Sequence, residues 1–259
     1  MTPPTIDDLK TLMNRLRGEG GCPWDRKQNA ESLKIYLLEE TYELADALDR
    51  QVPEEIAEEL GDLLFQIVFL SRVFEEQGLF NLDQVIEGIH EKMVRRHPHI
   101  FGEMKWEKAE QVVRGWQELK RQEKKNEDPF DSIPVMTPSL LKAHRISQRA
   151  AGMGFDWPDI TAVLEKVSEE LEELEEAILK KNQQASEEEL GDLLFTLVNL
   201  GRFLGVTAEN ALRLTNQKFL TRFKSMIDNP QFKDKAENTL TSEEWEALWR
   251  ESKLQNSQK

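Results

Sequence analysis

Along most of the chain, apolar residues return at three- and four-residue intervals among Glu, Lys and Ala. Alternating β-branched runs between Gly or Asn turns are missing. This pattern predicts an all-α protein. Helices are expected at 5–17, 30–50, 53–76, 81–97 and 106–125, then at 139–150, 159–181, 186–204, 207–228 and 242–254. Pro53, Pro158 and Ser186 read as start signals. Residues 121–138 break the pattern with clustered charges followed by Pro129, Pro134 and Pro138, a composition that cannot continue a helix and suits an exposed linker. The longest apolar stretch, Leu63 to Leu70, is interrupted by Gln66. The first eight residues carry neither a basic nor an apolar leader region, so neither secretion nor membrane spanning is expected.

The pattern is duplicated. Glu58-Glu59-Leu60-Gly61-Asp62-Leu63-Leu64-Phe65 recurs unchanged as Glu188 to Phe195, 130 residues on. The same offset carries Glu39, Glu40 and Glu43 onto Glu169, Glu170 and Glu173, and Arg72 onto Arg202. Lys92 and Arg96 find partners in Lys218 and Arg222 at an offset of 126, as if the second unit had lost about four residues. The division expected is therefore 1–128, a linker over 129–138, and 139–259, each unit with enough helices for a four-helix bundle or half of a larger dimeric one.

Charge narrows the function classes. Of the 259 residues, 34 are Lys or Arg and 49 are Asp or Glu, a formal net charge of −15 without a local basic stripe. Such a surface repels nucleic acid and anionic membrane. The single Cys22 can form neither an internal disulfide nor a multi-cysteine zinc site, which fits a cytoplasmic protein with a buried or half-buried thiol. The four histidines make no ligand set: His90 reads as structural or surface, His97 and His99 flank Pro98 at a helix end, and His144 stands alone.

The candidate chemistry lies in the carboxylates. On a helix, Glu40 and Glu43 share a face, as do Glu59 and Asp62 on the next, and a short turn at Pro53 would pack the two helices antiparallel with four carboxylates converging. Glu170, Glu173, Glu189 and Asp192 repeat the arrangement. A run of glutamates is ordinarily a solvated face. Here, however, Asp62 and Asp192 each open an apolar stretch, at the expected border of the core. Gly61 and Gly191 are kept in both units although each costs about 1 kcal/mol against Ala in a helix interior, as a close helix approach or a ligand would explain. Converging anions call for a divalent cation or for basic partners. An all-oxygen donor set suits Mg²⁺ first and Mn²⁺ second. Mg²⁺ commonly keeps water and binds substrate phosphates, which points to a triphosphate. Lys218 and Arg222, one turn apart, are candidates for its phosphates, although spacing alone fits a surface pair as well.

Glu-Glu-x-x-Glu followed at a distance by Glu-x-x-Asp, in both units, resembles the signature of the MazG nucleoside triphosphate pyrophosphohydrolases. Gly21-Cys22-Pro23-Trp24-Asp25 with Gln28, Arg95 to Phe101, and Gly154-Phe155-Asp156-Trp157 extend the similarity over nearly the whole chain. The resemblance implies tandem all-α MazG-like domains in a Mg²⁺-dependent homodimer that cleaves NTPs and dNTPs, ATP among them, between the α and β phosphates. It implies Glu40, Glu43, Glu59 and Asp62 as metal ligands in the first unit, and Glu170, Glu173, Glu189 and Asp192 in the second. Lys166, Lys218 and Arg222 match phosphate-binding positions, and Trp249 matches an aromatic near the base. Glu169 or Glu170 is the candidate to take a proton from water. Tyr36 stands where the second unit has Lys166, and Phe69 where it has Asn199, a further candidate at the substrate, so the C-terminal unit is expected to be the more active. Two other readings stay open. One is a related enzyme acting on phosphoribosyl-ATP or dUTP, and the other is a non-enzymatic dimeric helical adaptor.

Overall fold

A computed structural model describes residues 3–123, 128, 130–229 and 240–256. Among them all regular structure is helical. The order is α1 (Ile6–Arg17), a 3₁₀ turn (Asp25–Lys27), α2 (Ala30–Arg50), α3 (Pro53–Glu76), α4 (Leu82–Arg96), α5 (Pro98–Phe101) and α6 (Ala109–Glu123). It continues with α7 (Ser139–Gly152), α8 (Ile160–Leu179), α9 (Gln183–Phe203), α10 (Ala208–Ile227) and α11 (Ser242–Asn256). Contacts divide the chain into Met1–Lys125 and Asn126–Lys259.

The ends of the helices have local causes. Asn29 accepts from the Ser32 amide at 2.9 Å while the Ser32 hydroxyl accepts from the Asn29 amide at 3.0 Å, a reciprocal cap that Asn81 and Gln84 repeat at α4. Pro53 occupies the first turn of α3, where its missing N–H costs nothing. Two start signals need correction. Helix α9 begins at Gln183 because Asn182 caps the Ala185 amide, which leaves Ser186 inside the helix; Asp159, next to Pro158, caps α8 through the Ala162 amide. The helix at Pro98–Phe101 was not foreseen. His97 ends α4 and opens α5, its Nδ1 2.6 Å from the Met93 carbonyl. Within the segment read as an exposed linker, Ile133 is buried.

Each unit is built on a helical hairpin, α2 on α3 and α8 on α9. The connections turn on Gln51 (φ 57°) and Lys181 (φ 53°), the same left-handed position 130 residues apart, so the tight reversal repeats with the sequence. In the first unit Met13, Leu33, Val68, Phe69, Val73 and Leu82 form the core where α1 and α4 close on α3. In the second, α7 and α8 both pack on α9, with Val163 of α8 and Val198 of α9 buried, and Met226 and Leu248 join α10 to α11. No single helix among the described residues is long and apolar enough to cross a membrane.

Candidate active site

In the second unit the hairpin brings the acidic residues of α8 and α9 together. Carboxylate oxygens of Glu170, Glu173 and Glu189 lie within 4.8 Å of one another. Asp192 follows Glu189 by three residues on α9, which gives it the same helix face, and it is exposed. Glu170 is only 5% exposed. Lys166, one turn earlier on α8, sets its Nζ 3.0 Å from Glu170 Oε1 and 2.7 Å from Glu169 Oε1. Bonds to Glu169 and then Glu170 hold the Lys166 ammonium above its usual range. The carboxyl of Glu173 is raised, first by loss of hydration and then, against the pull of Lys166, by Glu189, Glu170 and Glu169.

The first unit repeats the cluster without its lysine. Oxygens of Glu40, Glu43 and Glu59 lie within 4.8 Å of one another. Burial raises the Glu40 carboxyl, with Asp62, Glu43 and Glu39 adding to the effect, while Gln66 opposes it by donating from Nε2 to Glu40 Oε1 at 3.3 Å. Glu59 is raised in the same way, by desolvation and then by Glu43, Asp62, Glu58 and Glu40. Asp62 therefore acts electrostatically on both neighbours. Tyr36, in the place of Lys166, meets the edge of Trp24 with ring centroids 5.7 Å apart. Asp62 and Asp192 are exposed and do not sit at the border of the core. A methyl group built on Gly61 or Gly191 would meet nothing within 4 Å among the described residues, so no described helix of the same unit approaches closely there.

The basic candidates lie on other helices. Lys218 is exposed on α10; one turn further, Arg222 lies over the Trp249 ring of α11, 5.8 Å from its centroid, with Phe219 and Lys253 also on that ring. Among the described residues α8 packs only on α9, whereas α10 packs on α7, α9 and α11. Among the described residues, then, Lys166 pairs with the carboxylates of α8, while Arg222 pairs with Trp249. Asn199 is buried, and its amide is already engaged: Nδ2 donates to the Phe195 carbonyl at 3.2 Å, and Oδ1 accepts from Arg202 at 3.3 Å. Arg202 in turn donates to both oxygens of Asp156, to Oδ2 at 3.0 Å. This Asp156–Arg202–Asn199 chain was not anticipated, although Asp156 belongs to a motif quoted for the resemblance. Gln66 was also missed as a site residue. Its signal was the break it makes in the apolar stretch from Leu63 to Leu70.

A family profile described as the MazG nucleotide pyrophosphohydrolase domain matches residues 28–101 and 159–227, the two segments that carry the clusters. The chain belongs to the MazG family. Among its relatives, the nucleoside triphosphate pyrophosphohydrolase/pyrophosphatase MazG of Thermotoga maritima is 46% identical over 223 residues, 85% of each chain. The nucleoside triphosphate pyrophosphohydrolase of Escherichia coli K12 is 42% identical over 229 residues, 85% of this chain and 86% of that one. The uncharacterized protein YabN of Bacillus subtilis is 39% identical over 251 residues, 95% of this chain but 51% of its own length. Membership makes the chain a hydrolase of phosphorus-containing anhydrides, and the adaptor reading falls away.

Proposed function

We propose that this MazG protein hydrolyses NTPs and dNTPs to the monophosphate and pyrophosphate, with Mg²⁺ as cofactor and Mn²⁺ as a substitute, mainly on the C-terminal unit. The observation that carries this reading is the convergence of Glu170, Glu173 and Glu189 beside Lys166. The donor set fits a hard cation: only carboxylate oxygens converge, and loss of hydration, then the neighbouring carboxylates, hold Glu173 above its usual value against the pull of Lys166. Glu170, Glu173, Glu189 and Asp192 would hold the ion in the second unit, and Glu40, Glu43, Glu59 and Asp62 in the first. When bound, it supplies charge neutralisation to the phosphates and eases deprotonation of an attacking water.

The chain's own residues do the rest. Glu170, buried and paired with Lys166, fixes the metal side of the site. Glu169 is more exposed and takes the proton from the water that attacks the α-phosphorus. Lys218 and Arg222 bind the phosphates as charge-assisted donors, and Trp249 lies against the base. Asn199 serves from behind the substrate by holding Arg202.

We further propose a cytoplasmic homodimer of two MazG-like domains per chain (1–128 and 139–259), without nucleic-acid or membrane partners. Leu171, Leu190, Leu194 and Leu197 on the α8–α9 hairpin are 41–48% exposed, and Leu60, Leu64 and Ile67, the counterparts of the last three, are exposed in the first unit together with Leu38. A second copy would cover these residues and complete a site whose basic side α8 does not meet within its own chain. Turnover in ¹⁸O-water tests the reaction: label in the monophosphate is expected, and label in pyrophosphate, or release of diphosphate and phosphate, would contradict it.

A further inference from the structure

Both units carry a guanidinium laid on an indole. Arg222 Cζ lies 5.8 Å from the Trp249 centroid, and Arg96 Cζ lies 5.6 Å from that of Trp116. Each arginine ends a Lys-x-x-x-Arg pair, begun by Lys218 and Lys92. Setting Trp116 on Trp249 also carries Glu118 onto Glu251 and Lys120 onto Lys253, so α6 repeats in α11.

The two devices differ in what fills them. In the first unit, Arg96 donates to Glu123 Oε2 from Nη2 at 2.6 Å and from Nε at 3.1 Å, and Arg95 donates from Nε to Oε1 at 2.7 Å. Both oxygens of one carboxylate are thus clasped by two guanidiniums, and the Glu123 carboxyl is pulled down to about 2, by Arg96 first and then Arg95. The pairing is sheltered, with the Arg96 side chain 12% and that of Glu123 25% exposed. In the second unit the same registers place Asn256 opposite Glu123 and Thr221 opposite Arg95. No carboxylate is paired with Arg222 among the described residues, and its Nε is buried without a hydrogen-bond partner. Guanidinium forks donate to carboxylate and phosphate oxygens alike, and a sheltered one left unpaired is a site for an anion.

We propose that Arg95, Arg96 and Trp116 form a second polyphosphate-binding site, in the N-terminal unit, which the chain keeps filled with its own Glu123 carboxylate. The inference rests on the reading that Lys218 and Arg222 take the substrate's phosphates. A polyphosphate reaching the first unit must displace a tethered competitor, whose effective concentration is of millimolar order. Among the described residues the C-terminal cradle has no such competitor.

Calorimetric titration of the full-length protein with tripolyphosphate, without divalent cation, separates the two claims. Lys218→Ala/Arg222→Ala is expected to abolish the tight binding of the wild type; unchanged binding would count against the reading of Lys218 and Arg222 and leave Glu123 to be judged by its own variant. Adding Glu123→Gln to that background is expected to create one site per chain at least about tenfold tighter than before, lost again on Arg96→Ala. An NTP run in parallel distinguishes ligand sources: equal gains assign the site to phosphates alone, and a larger gain brings the base into it. No gain from Glu123→Gln with α6 intact would overturn the proposal. Should that variant unfold α6, hydrogen exchange over residues 109–123 in the Glu123 protein decides: saturating tripolyphosphate must speed it as the carboxylate is displaced, and unchanged exchange would overturn the proposal equally.

Discussion

Lys166 is the residue in which the two units differ most at the carboxylates. It pairs with Glu169 and the buried Glu170, whereas the first unit has Tyr36 there, and Glu40 and Glu59 are raised by desolvation and then by their acidic neighbours, Asp62 and Glu43 among them in both cases. Lys166→Ala would leave Glu170 buried without its charge partner and is expected to cost about 1–3 kcal/mol of stability, part of which Mg²⁺ restores. Urea unfolding with and without Mg²⁺ checks this, and equal midpoints for variant and wild type would refute it. The raised carboxyls give a second prediction with a definite sign. Glu40, Glu59 and Glu173 titrate above 4.5 in the folded chain, so their protonated forms favour folding, and without metal that contribution is lost as pH rises from 4.5 through their folded values. Glu123 and Glu76 are lowered, so their contribution is present above 4.5 and lost as pH falls toward their folded values, about 2 for Glu123. The rise in Tm produced by Mg²⁺ should therefore vanish as pH falls through the raised values of these carboxyls and the clusters take up protons, and grow to a plateau toward neutrality. A shift independent of pH would place the ion elsewhere.

At the scale of elements, the hairpins were legible because their cause is local: apolar spacing, Pro53 and the repeated octapeptide fix α2–α3 and α8–α9 almost without tertiary information. Features that depend on residues distant in sequence were not. Glu123 meets Arg95 and Arg96 from 28 and 27 residues away, and Asp156 meets Arg202 across 46. Helix α5 is a single turn, too short to show a period, and Asn182 outcompetes Ser186 as a cap because its side chain reaches the Ala185 amide. The acidic groups could be read because i, i+3 spacing alone puts them on one face, whereas the position of Lys218, Arg222 and Trp249 relative to them depends on packing no spacing reveals. Gly191 offers a test at this level. A methyl there meets nothing among the described residues, so Gly191→Ala should not lower Tm by strain and should gain about 1 kcal/mol of helix propensity. If substrate or a second copy approaches that face, overpacking should lower kcat/KM by about tenfold, the equivalent of roughly 1–2 kcal/mol. Unchanged kcat/KM would show that the glycine serves neither.

For the whole molecule, duplication supplied two copies of one hairpin, which then diverged in charge. The C-terminal copy holds a lysine among its carboxylates and an Arg222 open to an anion, while the N-terminal copy lacks the first and fills its arginines with Glu123. A division of labour between the units is what the proposed function expects of that difference. The most direct measurement is product analysis on a panel of NTPs and dNTPs for the wild type, Glu170→Gln and Glu40→Gln, each with Mg²⁺ and with chelator. The account predicts monophosphate and pyrophosphate from the wild type only with metal, loss of turnover in Glu170→Gln, and retention of most of it in Glu40→Gln. Turnover that survives chelator, or that survives Glu170→Gln but not Glu40→Gln, would contradict it.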